Sequence, residues 1–442
     1  MTEPEMTGAS GPGTTAIAGA GPAAAPGAAT SPGPAVAPGP ASASSSRPAG
    51  PVRVALIGTH GFGRIHLKNL ARLGSAGISR LVGVVDVAEP PEEVAGIHHR
   101  SLPDLLAAVP AADRPEIVAI ATPIGTHLPL ARQALDAGVD VYLEKPPVPA
   151  LEDHWELLAA AEAAGRSVQV GFQARGGAGV DVLRDEVATG ALGPVDTVRV
   201  HGAWRRDRAY YRRSAWAGKR QLDGRRVADG VATNPLAHAV HAGLVIAGID
   251  EARDIASVTT ELRRAHDIEA DDTTFLRIDP AGDGPAVVCA LTTTAPEQRT
   301  AWVEAVGPRG SHRLYYTDDV SVRTGPDGGT QQLRHERTDL MENLAAHVRD
   351  RSVPLISPLE TTGAFSTVLE AIQSAPDPLP IDGDAVDIQG EGEAAVPVVR
   401  DIEQTLLAAL DAGQAFSELG VPWARPDAVR TWTPPAPGIR RG

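Results

Sequence analysis

The sequence predicts an α/β protein in which a doubly wound parallel sheet is followed by a second α/β domain with an open, mostly antiparallel sheet. Between residues 52 and 172, short apolar runs alternate with segments of helical periodicity. Strands and helices that alternate at this spacing are typical of a parallel sheet covered by helices on both faces. Beyond residue 250, several apolar runs follow one another without helical segments between them, which favours antiparallel pairing.

The predicted elements follow a regular order along the chain. In the first domain, residues 51–172, we predict strands at 52–57, 81–85, 116–121, 139–143 and 167–172, and helices at 64–73, 127–137 and 151–164. In the second domain, residues 173–375, we predict strands at 195–204, 255–262, 273–278, 286–294 and 301–306, and helices at 180–189, 235–247, 338–349 and 359–374. Residues 376–442 are predicted as a C-terminal extension with one helix, at 398–412.

The first 50 residues consist almost entirely of Ala, Gly, Pro, Ser and Thr. Such a segment cannot bury enough apolar surface to offset the entropy of ordering, so we predict a disordered tail. Its first charged residues are Glu3 and Glu5, and no basic region precedes an apolar stretch. A signal peptide is therefore not expected, with an Ala/Pro-rich leader as the alternative.

Composition limits the partners and the compartment. The chain has 442 residues and a formal net charge of −15, which disfavours nucleic acid and anionic membranes because both repel a negative surface. Its single cysteine, Cys289, cannot form an internal disulfide, so we expect a reducing, cytoplasmic location. No apolar run approaches the roughly 20 residues that span a bilayer.

The turn after the first predicted strand is rich in glycine. Gly58, Gly61 and Gly63 lie where a strand leads into a helix, and glycine lets the backbone approach a pyrophosphate there because it has no Cβ. His60 stands where the common G-x-G-x-x-G pattern has its second glycine, so the motif alone also fits an ordinary glycine turn. With the strand before it and the helix after it, we predict a dinucleotide site that includes His60 and Phe62.

Asp86 ends the second predicted strand, where a carboxylate can accept hydrogen bonds from ribose hydroxyls. No Arg follows it directly to bind a 2′-phosphate, and Glu89 would repel one. We therefore expect NAD rather than NADP. The alternative interpretation of Asp86 is a solvated strand end.

The segment Glu144-Lys145-Pro146-Pro147 follows the strand predicted at 139–143, at the edge of a parallel sheet where ligands bind. Lysine is rare in this chain, which otherwise has only Lys68 and Lys219. Lys145 can hydrogen-bond a hydroxyl and relay its proton, whereas an always-protonated Arg is poorly suited to that task. The prolines favour an unusual turn, with a cis bond as one form. The alternative is a surface lysine in a proline turn.

These elements together resemble the Gfo/Idh/MocA family of oxidoreductases. The resemblance rests on the Gly-rich turn, Thr122-Pro-Ile-Gly-Thr-His127, Glu144-Lys145-Pro146 and Gly171-Phe-Gln-Ala-Arg175, in that order, and runs from residue 52 to about residue 375. It implies an N-terminal Rossmann domain, NAD or NADP as cofactor, reversible oxidation of a sugar or cyclitol hydroxyl, and homo-dimers or homo-tetramers formed through the second sheet. On the cofactor side of the site we place Thr122, Pro123, His127, Glu144 and Lys145.

The second catalytic element of this family is an Asp and a His four residues apart at the start of a helix. His238 takes the place of the His, and Asn234 stands where the family usually has Asp. Asn can hold a hydroxyl but cannot carry charge or accept a proton, and it has an alternative role as a helix N-cap before Pro235. The positive end of the helix would favour a neutral imidazole at His238, suited to accept a proton.

A loop rich in Arg, Tyr and Trp, residues 204–216, precedes this helix. Aromatic faces and guanidinium groups suit sugar rings and carboxylates. The residues predicted to bind substrate are Arg175, Tyr211, Trp216 and His241. The alternatives are an interface or lid for the loop and a structural salt bridge for Arg175. No metal is expected at His238 and His241, because no further ligands cluster nearby in the sequence.

We therefore predict an NAD-dependent oxidoreductase that transfers hydride to or from a CH–OH group of a sugar, cyclitol or sugar derivative. Lys145 and His238 would share the acid–base work, and Asn234 would position the substrate. Two alternatives stay open. One is a non-catalytic NAD-dependent regulator, and the other is an NAD-dependent glycosidase that works by transient oxidation.

Overall fold

The computed structural model describes residues 50–425 and 428–435. The disordered tail predicted for residues 1–50 lies outside these ranges except for Gly50. Within them, no helix combines the length and the apolar character needed to cross a membrane.

The first sheet has six parallel strands in the order β3-β2-β1-β4-β5-β6. The strands are β1 (Val52–Ile57), β2 (Ser79–Val85), β3 (His98–His99), β4 (Ile117–Ile120), β5 (Asp140–Leu143) and β6 (Val168–Val170). The helices are α1 (Phe62–Ser75), α2 (Leu102–Ala108), α3 (His127–Asp136) and α4 (Leu151–Ala164). The predicted doubly wound sheet is confirmed, and the sequence missed only the short elements β3 and α2.

Burial on both faces explains why these strands are almost uniformly apolar. In β1, Val54 and Leu56 belong to one apolar core and Ala55 and Ile57 to another, because successive side chains point to opposite faces. Parallel strands end at the same edge of the sheet. The residues that follow β1, β2, β4 and β5 therefore share the edge at which open α/β sheets bind ligands.

The second sheet begins after β6. The elements that follow in the chain are α5 (Gly179–Ala188), β7 (Thr197–Ala203), α6 (Arg208–Arg212), β8 (Gln221–Leu222), β9 (Arg225–Arg226), α7 (Ala237–Ile246), β10 (Ile255–Arg264), β11 (Thr273–Pro280), β12 (Ala286–Thr292), β13 (Trp302–Gly307), β14 (Gly310–Tyr315), β15 (Val320–Thr324), β16 (Thr330–Arg334), α8 (Leu340–Arg349), α9 (Gly363–Ser374), β17 (Leu379–Pro380), β18 (Val386–Gln389), β19 (Val396–Val399), α10 (Ile402–Ala412) and β20 (Arg430–Trp432).

Ten of these strands form one mixed sheet. Its order is β16-β15-β14-β13-β7-β12-β11-β10-β17, with β20 also paired to β10. Strands β7 and β12 pair in parallel, as do β10 and β17, and the other pairs are antiparallel. The predicted mostly antiparallel sheet is confirmed. The sequence missed β14, β15 and β16, which lie towards one edge and carry many polar side chains.

Helix α8 contributes to the core of the first domain although it follows the second sheet in the chain. Leu340, Met341 and Leu344 of α8 lie in the same apolar core as Val54 and Leu56 of β1. The core of the first domain therefore includes a segment that the predicted limit at residue 172 places in the second.

The C-terminal extension packs on the second sheet. Within β12, Val287 and Cys289 face the core that holds α7, whereas Val288 and Ala290 face a core with Leu406 of α10. Helices α7 and α10 therefore cover opposite faces of β12, which explains why this strand is buried throughout. Besides the predicted helix, the extension contains β17, β18, β19 and β20.

Candidate active site

Two glycines of the first turn are required by close packing. A Cβ on Gly58, whose φ is +88°, would lie 2.5 Å from the carbonyl oxygen of Ala121, the residue after β4. A Cβ on Gly63 would lie 2.1 Å from the carbonyl oxygen of Gly58. Such distances are far below van der Waals contact, so the turn closes against α1 and the β4 edge only with glycine at both positions. Gly61 has a φ of +53° and faces open space.

Two side chains of the same turn, those of His60 and Phe62, point outward. A ring nitrogen of His60 lies 2.9 Å from the carbonyl oxygen of Glu89, beyond the end of β2. Phe62 is 38% exposed, and its ring meets the edge of His66 with centroids 6.0 Å apart. The imidazole of His60, in the second glycine position, therefore does not fill the inner side of the turn.

Asp86 is fixed to this turn. Its Oδ2 accepts hydrogen bonds of 2.7 Å from both the backbone N–H and the hydroxyl of Thr59, and its Oδ1 accepts one of 3.0 Å from the N–H of Ala88. Burial alone would raise the pKa of Asp86, but these hydrogen bonds hold it below its ordinary value. The carboxylate is charged beside the turn, as a ribose acceptor requires, and is more than a solvated strand end.

The loops after β4 and β5 are joined by His127. Its Nδ1 lies 3.1 Å from the carbonyl oxygens of Pro146 and Pro147, and its Nε2 lies 2.8 Å from the carbonyl oxygen of Thr122. Burial lowers the pKa of His127. Thr126 donates to the carbonyl of Pro123 from its backbone and its hydroxyl, which closes the loop that begins at Thr122. The hydrogen bonds of His127 therefore hold the loops after β4 and β5 together.

Glu144 also faces inward. Its Oε1 lies 2.7 Å from Nε2 of His66 in α1, and its Oε2 accepts a hydrogen bond of 3.2 Å from the backbone N–H of Lys145. Both groups of the His66–Glu144 pair are buried. The pair ties the loop after β5 to the helix that follows the glycine turn.

Lys145 connects the two domains. The Lys145–Pro146 peptide bond is cis. Nζ of Lys145 donates hydrogen bonds to the backbone oxygen of Asn234 at 3.0 Å and to its Oδ1 at 2.8 Å. Lys145 is therefore not a surface lysine in a proline turn, and it reaches Asn234 of the second domain.

Asn234 does not cap the helix that follows it. Helix α7 begins at Ala237, its N-cap residue is Leu236, and no side chain caps it. The side chain of Asn234 instead bonds Lys145 and the carboxylate of Asp229. The capping interpretation of Asn234 is therefore wrong, and Pro235 lies before the helix.

His238 is the second residue of α7, close to Lys145. Its ring meets Phe172 edge to face, with centroids 6.0 Å apart. Burial, and next the charge of Lys145, lower the pKa of His238 well below its ordinary value. Its Nδ1 is buried without a hydrogen-bond partner among the described residues. The imidazole is therefore neutral, as expected.

Asp229 is a residue of the site that the sequence did not indicate. Its carboxylate accepts hydrogen bonds from Nδ2 of Asn234 at 2.5 Å, from the backbone N–H of Gly218 at 2.7 Å, and from Arg213 at 3.1 and 3.2 Å. The Arg213 guanidinium lies over the ring of Trp216, 4.6 Å from its centroid. Trp216 is thereby linked to Lys145 through three side chains, those of Arg213, Asp229 and Asn234. The sequence carries no signal for this contact, because residues 229–234 lie in a loop and turns rather than in a helix or strand of fixed periodicity.

The other predicted substrate residues have partners elsewhere. Tyr211 is buried, its hydroxyl lies 2.7 Å from Oγ1 of Thr293, and burial raises its pKa well above the ordinary value. His241 stacks on Phe172 with centroids 3.9 Å apart, and burial lowers its pKa to about 3. Arg175 forms a 2.8 Å salt bridge with Asp181.

Within the described ranges, no three His, Cys, Asp or Glu side chains are grouped so that they could hold a metal ion.

Residues 52–172 match the family model described as "Oxidoreductase family, NAD-binding Rossmann fold". A curated relative, inositol 2-dehydrogenase 3 of Saccharopolyspora erythraea, is 33% identical over 145 residues, which are 32% of this chain and 42% of the relative. The chain thus aligns with less than half the length of that relative.

Solved structures extend the similarity of fold to the second domain. An inositol dehydrogenase homolog from Azotobacter vinelandii complexed with NAD+ gives a TM-score of 0.61 at 19% identity, over 75% of this chain and 97% of the other. The WlbA dehydrogenase of Bordetella pertussis in complex with NADH and UDP-GlcNAcA gives a TM-score of 0.59 at 23% identity, over 73% of this chain and 95% of the other.

Proposed function

We propose that the chain is an NAD-dependent oxidoreductase that acts on a CH–OH group of a sugar, cyclitol or sugar derivative, because residues 52–172 match the NAD-binding Rossmann fold of the Gfo/Idh/MocA oxidoreductase family. One observation carries the proposal. Lys145, at the ligand-binding edge of the first sheet, contacts Asn234 of the second domain beside a neutral, partly buried His238.

The residues at this edge fit a dinucleotide. The close packing at Gly58 and Gly63 leaves the turn free of side chains at the positions where a pyrophosphate approaches backbone. The fixed carboxylate of Asp86 suits the ribose hydroxyls of NAD. Arg100 donates to the carbonyl oxygen of Val87 and pairs with Glu89 at 2.6 Å, and the carboxylate of Glu89 would repel a 2′-phosphate. These contacts favour NAD over NADP.

The chain's own residues provide the proton chemistry. When bound, NAD supplies or accepts the hydride. The neutral imidazole of His238 accepts a hydrogen bond from the reacting hydroxyl, while an imidazolium there would be opposed by burial and by Lys145. We therefore assign the proton transfer to Nζ of Lys145, which Asn234 holds in place. The neutral amine would take the hydroxyl proton when the CH–OH group is oxidised, and the ammonium would return it when the carbonyl is reduced.

The substrate class is supported by the relatives. Those with 31–34% identity are named inositol 2-dehydrogenases, and an inositol dehydrogenase homolog has been crystallised with NADH and myo-inositol. A hydroxyl-rich ring also suits a site bordered by Trp216 and Arg213. A homo-dimer or homo-tetramer and a cytoplasmic location stay predictions. An oligomer formed through the second sheet would have to accommodate α10, which covers the centre of one face of that sheet.

The test is reduced-nicotinamide absorbance after the purified full-length protein is mixed with NAD and a pool of sugars, cyclitols and sugar acids. A rise in absorbance supports the proposal, and division of the pool identifies the substrate. A flat trace with tight NAD binding contradicts it. Release of an aglycone without net NADH would then indicate the glycosidase, and capture of a protein partner that depends on NAD would indicate the regulator.

A further inference from the structure

The carboxylate that the family resemblance implies at position 234 has a counterpart directly behind Asn234. The side chain of Asp229 is 2% exposed, and it accepts a 2.5 Å hydrogen bond from Nδ2 of Asn234. Oδ1 of Asn234 accepts a 2.8 Å hydrogen bond from Nζ of Lys145. Asn234 therefore lies between a buried carboxylate and the lysine ammonium group.

The two charges fix the orientation of the Asn234 amide. An amide has a donor end, the NH2 group, and an acceptor end, the carbonyl oxygen. With the amide turned around, its oxygen would face the carboxylate of Asp229 and its NH2 group would face the ammonium of Lys145, and both contacts would be repulsive. In the observed orientation both contacts are favourable. The negative charge of Asp229 polarises the amide and so strengthens the hydrogen bond that Oδ1 of Asn234 accepts from Lys145.

We propose that Asp229 is a positioning residue for Lys145 that acts through Asn234, so that Asp229 and Asn234 together supply a negative charge on the second-domain side of Lys145. The proposal rests on the function proposed above. It also explains the departure at position 234. An Asp there would place two carboxylates about 2.5 Å apart, and such a pair cannot be ionised at both members.

The contacts of Asp229 extend this link to the predicted substrate loop. Arg213 holds both carboxylate oxygens, and the backbone N–H of Gly218 donates to Oδ2. Arg213 in turn lies between the rings of Tyr210 and Trp216, 3.8 and 4.6 Å from their centroids. Burial raises the pKa of Asp229, and Arg213 opposes that rise. A ligand that moves this loop will therefore alter the hydrogen bond that positions Lys145.

The test measures the titration of Lys145 directly. The chain has only Lys68, Lys145 and Lys219, so lysine labelled with 13C at Cε gives few NMR signals in the full-length protein, and Lys145→Met assigns one of them. In Asp229→Asn we expect the pKa of Lys145 to fall by about one unit, because the ammonium loses a nearby negative charge. The signals of Lys68 and Lys219 should titrate as in the wild type.

A swap of the two side chains provides the rescue. The double variant Asp229→Asn with Asn234→Asp moves the carboxylate onto Lys145 and keeps a single negative charge. We expect it to return the pKa of Lys145 to the wild-type value or above. Turnover should fall about tenfold in Asp229→Asn with little change in KM, and the swap should restore most of it.

Asp140→Asn is the matched control. Asp140 is an equally buried carboxylate that pairs with Arg351 at 2.6 Å and accepts a 2.8 Å hydrogen bond from the backbone N–H of Ser167, at the opposite end of β5 from Lys145. It should lower thermal stability like Asp229→Asn without changing the titration of Lys145.

An unchanged Lys145 titration in Asp229→Asn overturns the proposal. If that variant does not fold, the swap decides, because a Lys145 pKa below the wild-type value in the swap also overturns it. The proposed function fails differently, through a lack of turnover in the wild type, which leaves the lysine titration measurable.

Discussion

The two halves of the candidate site rely on different kinds of contact. On the first domain, the turn between β1 and α1 depends on backbone approach at Gly58 and Gly63 and on one fixed carboxylate, Asp86. On the second domain, a chain of side chains from Arg213 through Asp229 and Asn234 reaches Lys145. A backbone contact tolerates no added atom, whereas a hydrogen-bonded pair can exchange its members. Asn234, the departure from the family's catalytic pair, accordingly lies in the second half, whereas His60, which replaces a glycine of the common pattern in the first half, has an exposed side chain.

The largest effect is expected where the two halves meet. Lys145→Met should lower kcat by about a thousandfold, the size typical for loss of a general acid–base group, and should change the Kd for NAD less than about threefold. Steady-state kinetics and calorimetric titration with NAD measure the two quantities. Lys68→Met, at an exposed position of α1, is the control and should be neutral. Undiminished turnover in Lys145→Met would remove the catalytic assignment.

A smaller effect is expected in the backbone-built half. The Cβ of Gly63→Ala would lie 2.1 Å from the carbonyl oxygen of Gly58, so the turn must open. We expect the Kd for NAD to rise about 10- to 100-fold, since overpacking costs about 1–3 kcal/mol. Gly96→Ala, where no atom lies within 4 Å of the added Cβ, should leave binding and stability unchanged. Equal NAD affinity in both variants would show that NAD binding does not depend on the close packing of this turn.

We expect acid to lower the stability of the protein through buried histidines of the second domain while leaving NAD binding at the first domain unchanged. Burial lowers the pKa of His201 in β7 to about 4 and that of His241 in α7 to about 3. Between these values and the ordinary 6.5, the unfolded chain binds more protons, so the contribution of each neutral imidazole to stability is present above about pH 6.5 and is lost as the pH falls below it. At pH 5 each buried His should cost about 2 kcal/mol of unfolding free energy.

The cofactor half should not respond over the same range. Hydrogen bonds hold the pKa of Asp86 below its ordinary value, so its charge and the Kd for NAD should be constant from pH 7 to 5. Denaturant unfolding and NAD titration at each pH measure the two quantities. Stability that does not decline, or NAD affinity that declines with it, would contradict the contrast.

The smallest effect on turnover is expected at α10. Leu406→Ala removes a fully buried side chain from the core beneath this helix and should cost about 2–4 kcal/mol of unfolding free energy while leaving kcat unchanged. Leu407→Ala, one residue further and 44% exposed, should be nearly neutral. Denaturant unfolding and steady-state kinetics on the three proteins provide the comparison. A loss of kcat in Leu406→Ala alone would extend the site to the C-terminal segment.

The same contrast explains what the sequence could predict. The first sheet, the glycine turn, Asp86 and Lys145 are local features, because strand ends and turns are visible in a short stretch of chain. The role of Asp229 was not visible, since it depends on where a loop 16 residues earlier places Arg213. The docking of α8 on the first core also joins segments far apart in sequence. The capping role considered for Asn234 was wrong because Lys145 and Asp229 compete for its side chain.

The position of α10 has a consequence for synthesis of the protein. The strands beneath it, β7 and β12, are paired with each other and are made long before α10 leaves the ribosome. Until then, the apolar side chains of Val288, Ala290 and Trp302 have no helix to cover them. A nascent chain with such a surface is prone to aggregation until α10 has been made and packs over it.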